Sequence, residues 1–194
     1  MDFSLLTVTG IFILGLMVGS FLNVCIWRLP EGEQVVKGRS QCRSCHHEIP
    51  WYDNLPVVSY FLLGTKCRFC SAKIHWSYPV VELATAVLFL MLMGRFGLSD
   101  LMLVYAILGA VLIMLSVIDW REMILPDAIT LPGLSTFTVF SFFLPELHGQ
   151  LSGWSSLGQA ALGAFAGAGV LWGIALVGEM IFKREAMGQG DMKL

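Results

Sequence analysis

Charge is what this chain has least of. Its 12 Lys and Arg and 14 Asp and Glu make up only 13% of 194 residues, while 56% are hydrophobic and mean hydropathy is +0.74. A soluble domain of this length carries more charge and shorter apolar runs. The net charge is −2, so nothing points to nucleic acid as a partner. A positive segment ahead of the first apolar run is also missing. Only Met1, Asp2 and Ser4 stand there as charged or polar starts, and Arg28 follows the run directly. That run is too long for the apolar core of a cleaved signal, so a retained helix is expected. No internal repeat and no low-complexity tract is read.

What the chain has is apolar runs: Leu5–Ile26, Pro79–Met93, Leu101–Ile118, Ala128–Pro145 and Leu157–Gly178. Several approach the ~20 residues a helix needs to cross the hydrocarbon core. Backbone in lipid must satisfy its own hydrogen bonds, so these runs are expected to be helices. Glu82 is the one marked charge in the second run, placed near the positive end of that helix and within reach of a loop cation or a ligand amine. Asp127, after Pro126, is placed to N-cap the fourth helix, and Pro132-Gly133 to bend it. Gly163/Gly167 and Gly169/Gly173 in the fifth run are pairs at helical spacing that suit close packing. Of the 12 basic residues, 11 fall in the loop 28–78, after the third run or after the fifth, and only Arg95 falls on the other side. The positive-inside rule makes the richer side cytoplasmic and puts the N-terminus outside.

Cys42-x2-Cys45 and Cys67-x2-Cys70 lie in that cytoplasmic loop, 21 residues apart. Two such hooks can place four thiolates tetrahedrally about one Zn²⁺, a closed structural site. Arg43, Lys66 and Arg68 favour the thiolate form, and a reducing compartment disfavours disulfides. A thiol redox pair or four free cysteines are the alternatives. His46 and His47 follow the first hook and could replace a ligand, but read more simply as exposed loop residues; Cys25 reads as a small apolar side chain. The loop has about fifty residues, too few for a good core without such a staple.

Asp119 follows the third run and Asp191 the fifth, in "GQGD", where Gly188 and Gly190 let a substrate backbone come close. Two crossings separate them, which returns both to one membrane face. If they meet, one keeps a proton as acid and the other polarises water as base. Interface aspartates also serve as helix caps and solubilising ends. A proton-relay or transport protein uses membrane acids too, and a membrane thiol oxidoreductase would use the cysteines.

Six segments in order resemble the type IV prepilin peptidase family: "GSFLNVCIWRLP" (Gly19–Pro30), the two cysteine hooks, "PWYDNLPVVSY" (Pro50–Tyr60), "YPVVEL" (Tyr78–Leu83), "DWREMILPD" (Asp119–Asp127) and "GQGDMKL" (Gly188–Leu194). The resemblance implies an all-α membrane protein, a polytopic helical bundle with a small cytoplasmic zinc-binding loop domain. It implies a first transmembrane helix over 1–27, a four-cysteine zinc-binding loop domain over 28–78 and an aspartic peptidase domain of the GxGD type over 79–194. Asp119 and Asp191 would be the catalytic pair, and Cys42, Cys45, Cys67 and Cys70 the Zn²⁺ ligands. Substrates would be type IV prepilin or pseudopilin precursors, cut after a glycine, with S-adenosylmethionine donating a methyl group to the new N-terminus. The location implied is the bacterial inner membrane. The chain ends as if a further helix were beginning, so a longer protein is expected.

Overall fold

Ser4 opens the first helix, its Oγ accepting the Thr7 N–H at 3.2 Å, a side-chain cap. The computed structural model describes residues 3–36 and 38–182. They form six helices: α1 (Leu5–Arg28), α2 (Val58–Leu62), α3 (Ser77–Phe96), α4 (Asp100–Glu122), α5 (Asp127–Phe143) and α6 (Gly153–Phe182). Short 3₁₀ turns run over Trp51–Asn54 and Pro145–His148. Five of the helices, all but α2, coincide with the five apolar runs, with α3, α4 and α6 extended by a few residues. Four are long and apolar enough to cross a bilayer: α1, α3, α4 and the Gly153–Ile174 part of α6. With 17 residues, α5 is about 25 Å long, at the lower limit for a crossing.

The chain packs as two units, Met1–Glu122 and Met123–Leu194. In the first, α1, α3 and α4 form an up-down-up bundle. Its core is built from Ile26, Val81, Ala86, Phe89, Leu115 and Ile118, all buried. The apolar side chains Ile13, Met17 and Phe21 of α1 and Val87 and Met91 of α3 stay exposed, as lipid-facing helices require. Glycine sets the distance between α1 and α3. A Cβ at Gly15 would stand 2.5 Å from the Ala86 Cα, and one at Gly19 2.6 Å from the Glu82 Cα. Backbone atoms cannot swing aside, so Gly15→Val must push the two helices apart. Overpacking of this kind costs about 1–3 kcal/mol. Thermal unfolding of the protein in detergent should show a lowered midpoint for Gly15→Val. Gly10→Val, where a Cβ meets nothing within 4 Å, should change it little.

In the second unit, α5, the 3₁₀ turn and α6 meet through hydroxyls. Ser141 Oγ and Ser156 Oγ lie 3.0 Å apart, and His148 Nδ1 lies 2.9 Å from Ser156 Oγ. Both serines are buried, so the contact satisfies polar groups that water does not reach. Two expectations are corrected here. Asp127 is the first helical residue of α5, not its N-cap; Pro126 occupies that place, with no side-chain cap. The glycines of α6 are not a packing seam among the described residues, since a Cβ at Gly163, Gly167, Gly169 or Gly173 meets nothing within 4 Å. The close-packed pair is Gly15 and Gly19.

Candidate active site and metal centre

The loop between α1 and α3 is built from two copies of one hairpin-like knuckle. In the first, Cys42 N–H donates to the His47 carbonyl at 2.9 Å, His46 N–H to the Cys42 carbonyl at 2.8 Å, and Ile49 N–H to the Ser40 carbonyl at 2.7 Å. In the second, Cys67, Ser71 and Ile74 donate to Ala72, Cys67 and Thr65 at 2.8, 3.0 and 2.8 Å. His46 and Ser71, at matching positions, both take φ of 57°. Isolated bridges pair Gln41 with Glu48 and Lys66 with Lys73. The sequences align as Cys-Arg-x-Cys-x3-Ile-x-Trp at Cys42–Trp51 and Cys67–Trp76. The chain therefore does carry an internal repeat, contrary to the sequence reading. It is short, and its signal is diluted by unlike residues between the matching ones.

The knuckles face each other through their sulfurs. The Sγ atoms of Cys42, Cys45, Cys67 and Cys70 all lie within 4.8 Å of one another, with Cys42 and Cys70 3.7 Å apart. A tetrahedral ion with metal–sulfur bonds of about 2.3 Å requires sulfurs about 3.8 Å apart. No disulfide joins them. Burial pushes the Cys42 thiol up, but the backbone N–H groups of Cys45 and Ser44 and the neighbouring thiols outweigh it and bring the thiol down to about 7. At Cys70 the Ala72 backbone pulls down, yet burial and the three other sulfurs drive it up to about 12. Four thiolates within this distance of one another would repel, and a bound cation would offset that repulsion. The donor set fits a metal ion with no open position.

Arg43 and Arg68 occupy the same position in the two knuckles and anchor them differently. Arg68 grips Asp53 of the Trp51–Asn54 turn with two hydrogen bonds, 2.7 and 2.6 Å. The hydrogen bonds from Arg68 hold the Asp53 carboxyl below the usual range, and its side chain is only 6% exposed. A depressed folded value means stability that is present above the unfolded value, ~3.9, and is lost as pH falls further. Asp53→Asn should remove that acid-sensitive part. Loop unfolding followed by amide exchange between pH 5 and 3 should then become flatter in the variant than in the parent.

Arg43 instead reaches the membrane helices. Its guanidinium carbon sits 3.9 Å from the centre of the Trp27 ring, and that of Arg121 sits 3.2 Å from the same ring. Trp27 also stacks on Tyr78 at 6.1 Å. Glu31 binds Arg43 at 3.1 Å and Glu122 binds Arg121 at 3.3 Å, offsetting the repulsion between the two cations. Partly desolvated cation–ring contacts contribute about 0.5–2 kcal/mol each. This cluster gathers the end of α1, the start of α3, the end of α4 and the first knuckle. No spacing rule in the sequence signals it.

Glu82 is buried at 7% exposure and its Oε2 accepts the Val57 N–H at 2.6 Å. Val57 has φ 60° and ψ −48°, and the Val58 N–H closes onto the Pro56 carbonyl at 2.6 Å. That is a γ-turn of the rare, strained kind, and the Glu82 carboxylate compensates it. Glu82 is the sixth residue of α3, beyond the first turn, so it acts as an anchor for the loop and not as a partner of the helix dipole. Glu82, Asn23, Trp27 and Tyr78 line one side of a cavity of about 550 Å³ whose other side is the cysteine loop.

Asp119 lies on the last turn of α4, part-buried, two residues before Arg121. It makes no hydrogen bond or ion pair with any described residue. Because Arg121 and Arg43 share Trp27, Asp119 stands at the same end of the bundle as the cysteine loop. Asp191, with the whole GxGD segment, lies outside the described residues.

The model for the bacterial peptidase A24 N-terminal domain matches residues 13–96, and that for the type IV leader peptidase family matches 106–194. A prepilin leader peptidase/N-methyltransferase of Pseudomonas putida is 36% identical, over 94% of this chain and 68% of its own length. The chain belongs to the type IV leader peptidase family. A protein of the same name from Myxococcus xanthus is 38% identical over 95% of this chain. One from Klebsiella pneumoniae is 34% identical over 95% of this chain and 80% of its own length. The chain spans 52% of the Myxococcus xanthus relative. No solved structure matches. The first match ends with α3 and the second begins within α4, so the cysteine loop belongs to the first and Asp119 to the second.

Proposed function

We propose that this chain is the site-bearing part of a membrane aspartic endopeptidase that removes the short basic leader from prepilin-like precursors, after a glycine, at the cytoplasmic face. The single observation that carries this is the placement of Asp119. It is an unpartnered, part-buried carboxylate among the described residues, at the membrane-helix end that faces the loop, in a chain of the leader peptidase family. Asp191, in Gly188-Gln189-Gly190-Asp191, is the second acid. The pair shares a proton: the protonated member polarises the scissile carbonyl while the ionised member takes a proton from the attacking water. When water has added, the proton returns to the leaving amine. A precursor's apolar helix would dock in the bilayer with its leader in water, which brings the bond to the pair.

The functional division follows the sequence: a first membrane helix over 1–27, a cysteine loop over 28–78 and the peptidase region from 79. The distribution of Lys and Arg supports an N-terminus outside a bacterial inner membrane and the loop inside. The metal of the four cysteines is zinc, held as a fold staple. After cleavage, the new N-terminus is methylated, with S-adenosylmethionine supplying the methyl group. The cavity of about 550 Å³ is of cofactor size. Tyr60, Phe69 and Glu33 are among its lining residues, and aromatic rings with a carboxylate suit a purine ribonucleoside with a cationic sulfur.

The experiment is incubation of the full-length protein with a pilin-like precursor, with and without S-adenosylmethionine, read by mass spectrometry. The expected products are a shortened chain without the cofactor and the same chain about 14 mass units heavier with it, one methylene by the chemistry of methyl transfer. An intact precursor under both conditions would remove the peptidase reading.

A further inference from the structure

The matched arginines of the repeat suggest what the cysteine centre does for the rest of the protein. One knuckle uses its arginine within the loop, on Asp53. The other sends Arg43 out of the loop onto Trp27, where it meets Arg121 from the end of α4. Two guanidiniums on one indole are a costly arrangement, kept here with one carboxylate each, Glu31 and Glu122. Among the described residues, little else fixes the end of α4 past Ile118, which is fully buried. Trp120 is 85% and Met123 88% exposed, and Met123 turns out of the helix with φ of 53°. Asp119 itself has no partner among the described residues. Its position therefore depends on what holds Ile118 on one side and Arg121 on the other.

We propose that Arg43, Trp27 and Arg121 form a positioning relay through which the metal-bound first knuckle fixes the last turn of α4, and with it the Asp119 carboxylate. The relay rests on the reading above that Asp119 is catalytic. Cys42 and Cys45 would hold the ion, which would fix the turn between them; that turn carries Arg43, and Arg43 and Arg121 close on Trp27. Trp27, Arg43 and Arg121 are positioning residues.

The test uses the full-length protein in lipid nanodiscs and two readouts. The first is hydrogen exchange of the amides of residues 116–122, which needs no activity. Removing the metal by chelation should speed exchange in this segment about tenfold in the parent. In Trp27→Leu the segment should exchange fast already, and chelation should add nothing. The second is leader cleavage. Arg43→Gln and Arg121→Gln should each lower kcat about tenfold with KM little changed. The double variant should be no worse than either single one, because both break one link. Trp27→Leu should lower kcat to a similar degree, and Trp27→Phe, which keeps an aromatic face, should recover most of that loss. Metal content should stay at the parent level in Trp27→Leu and Arg121→Gln. Unchanged exchange on loss of metal overturns the relay, whatever the enzyme does. So do additive effects of the two arginine variants. A parent that cleaves nothing refutes the peptidase reading, while the exchange result still decides whether the relay exists.

Discussion

Asp119→Asn stops leader cleavage, and Asp191→Asn does the same; each variant is expected to retain less than about a thousandth of the parent rate. The loss is steep because the proposed mechanism needs one proton shared between two carboxylates. An amide can neither accept the proton of the attacking water nor give one to the departing amine. The two effects must also fail to add, since either substitution already disables the pair. The parent rate should follow a bell-shaped pH dependence with two apparent constants belonging to the pair and to neither residue. The Asn variants change nothing in the packing seen here. Asp119 is part-buried and bonded to no described residue, so membrane insertion and helix content should match the parent. Quantitative blotting of mature against precursor substrate, with the variants at equal membrane levels, measures this. Appreciable processing by either would remove that carboxylate from the chemistry.

The second large effect concerns the metal. Cys42→Ser should release it, taking the content from one equivalent per chain toward none. Three thiolates and a hydroxyl bind a soft-ligand ion far less well than four thiolates. The consequence spreads because the loop has no core of its own. Its hydrophobic residues Trp51, Val58, Phe61, Phe69 and Trp76 are all exposed, and what orders it are the two knuckles, the Asp53–Arg68 pair and the Val57–Glu82 hydrogen bond. Metal binding to such a loop is folding free energy. The variant should lose loop protection against protease under conditions where α1, α3 and α4 stay intact. Cys25→Ser is the control. Cys25 is buried in α1, away from the four-sulfur cluster, so metal content should not change. Full metal content in Cys42→Ser would show that the cluster is not the site.

The sequence made the helices legible because lipid imposes one solution on long apolar runs. The cysteine centre was legible because two C-x2-C hooks have few other uses. Less visible was what joins them. Gly15 and Gly19 have the same spacing as the glycine pairs of α6, yet only the former meet a neighbour's backbone; spacing says which residues share a face, not whether a partner lies against it. Glu82 reads from sequence as a helix-end acid, but its depth in α3 is set by where the helix starts, at Ser77, and by a strained turn 25 residues earlier. The Trp27 cluster draws on three helix ends and a knuckle. Such a contact depends on tertiary packing, and no local pattern encodes it. Asp127 shows the opposite limit: a one-residue shift in the start of α5 moved it from cap to first turn, where its charge still favours the helix.

The central claim is that Asp119 and Asp191 meet, and it can be measured without substrate. Asp119→Cys and Asp191→Cys are introduced together into the full-length protein carrying Cys25→Ala, with the metal bound so that its four thiolates are shielded. A short bifunctional thiol reagent is then added in intact membranes, and the linked peptides are identified by mass spectrometry. A shared-proton pair, with carboxylates about 3 Å apart, predicts rapid joining of 119 to 191 and none between either position and a cysteine placed at Arg95. Failure of 119 and 191 to join, with both thiols shown to be reactive by a monofunctional reagent, would contradict the paired-aspartate account.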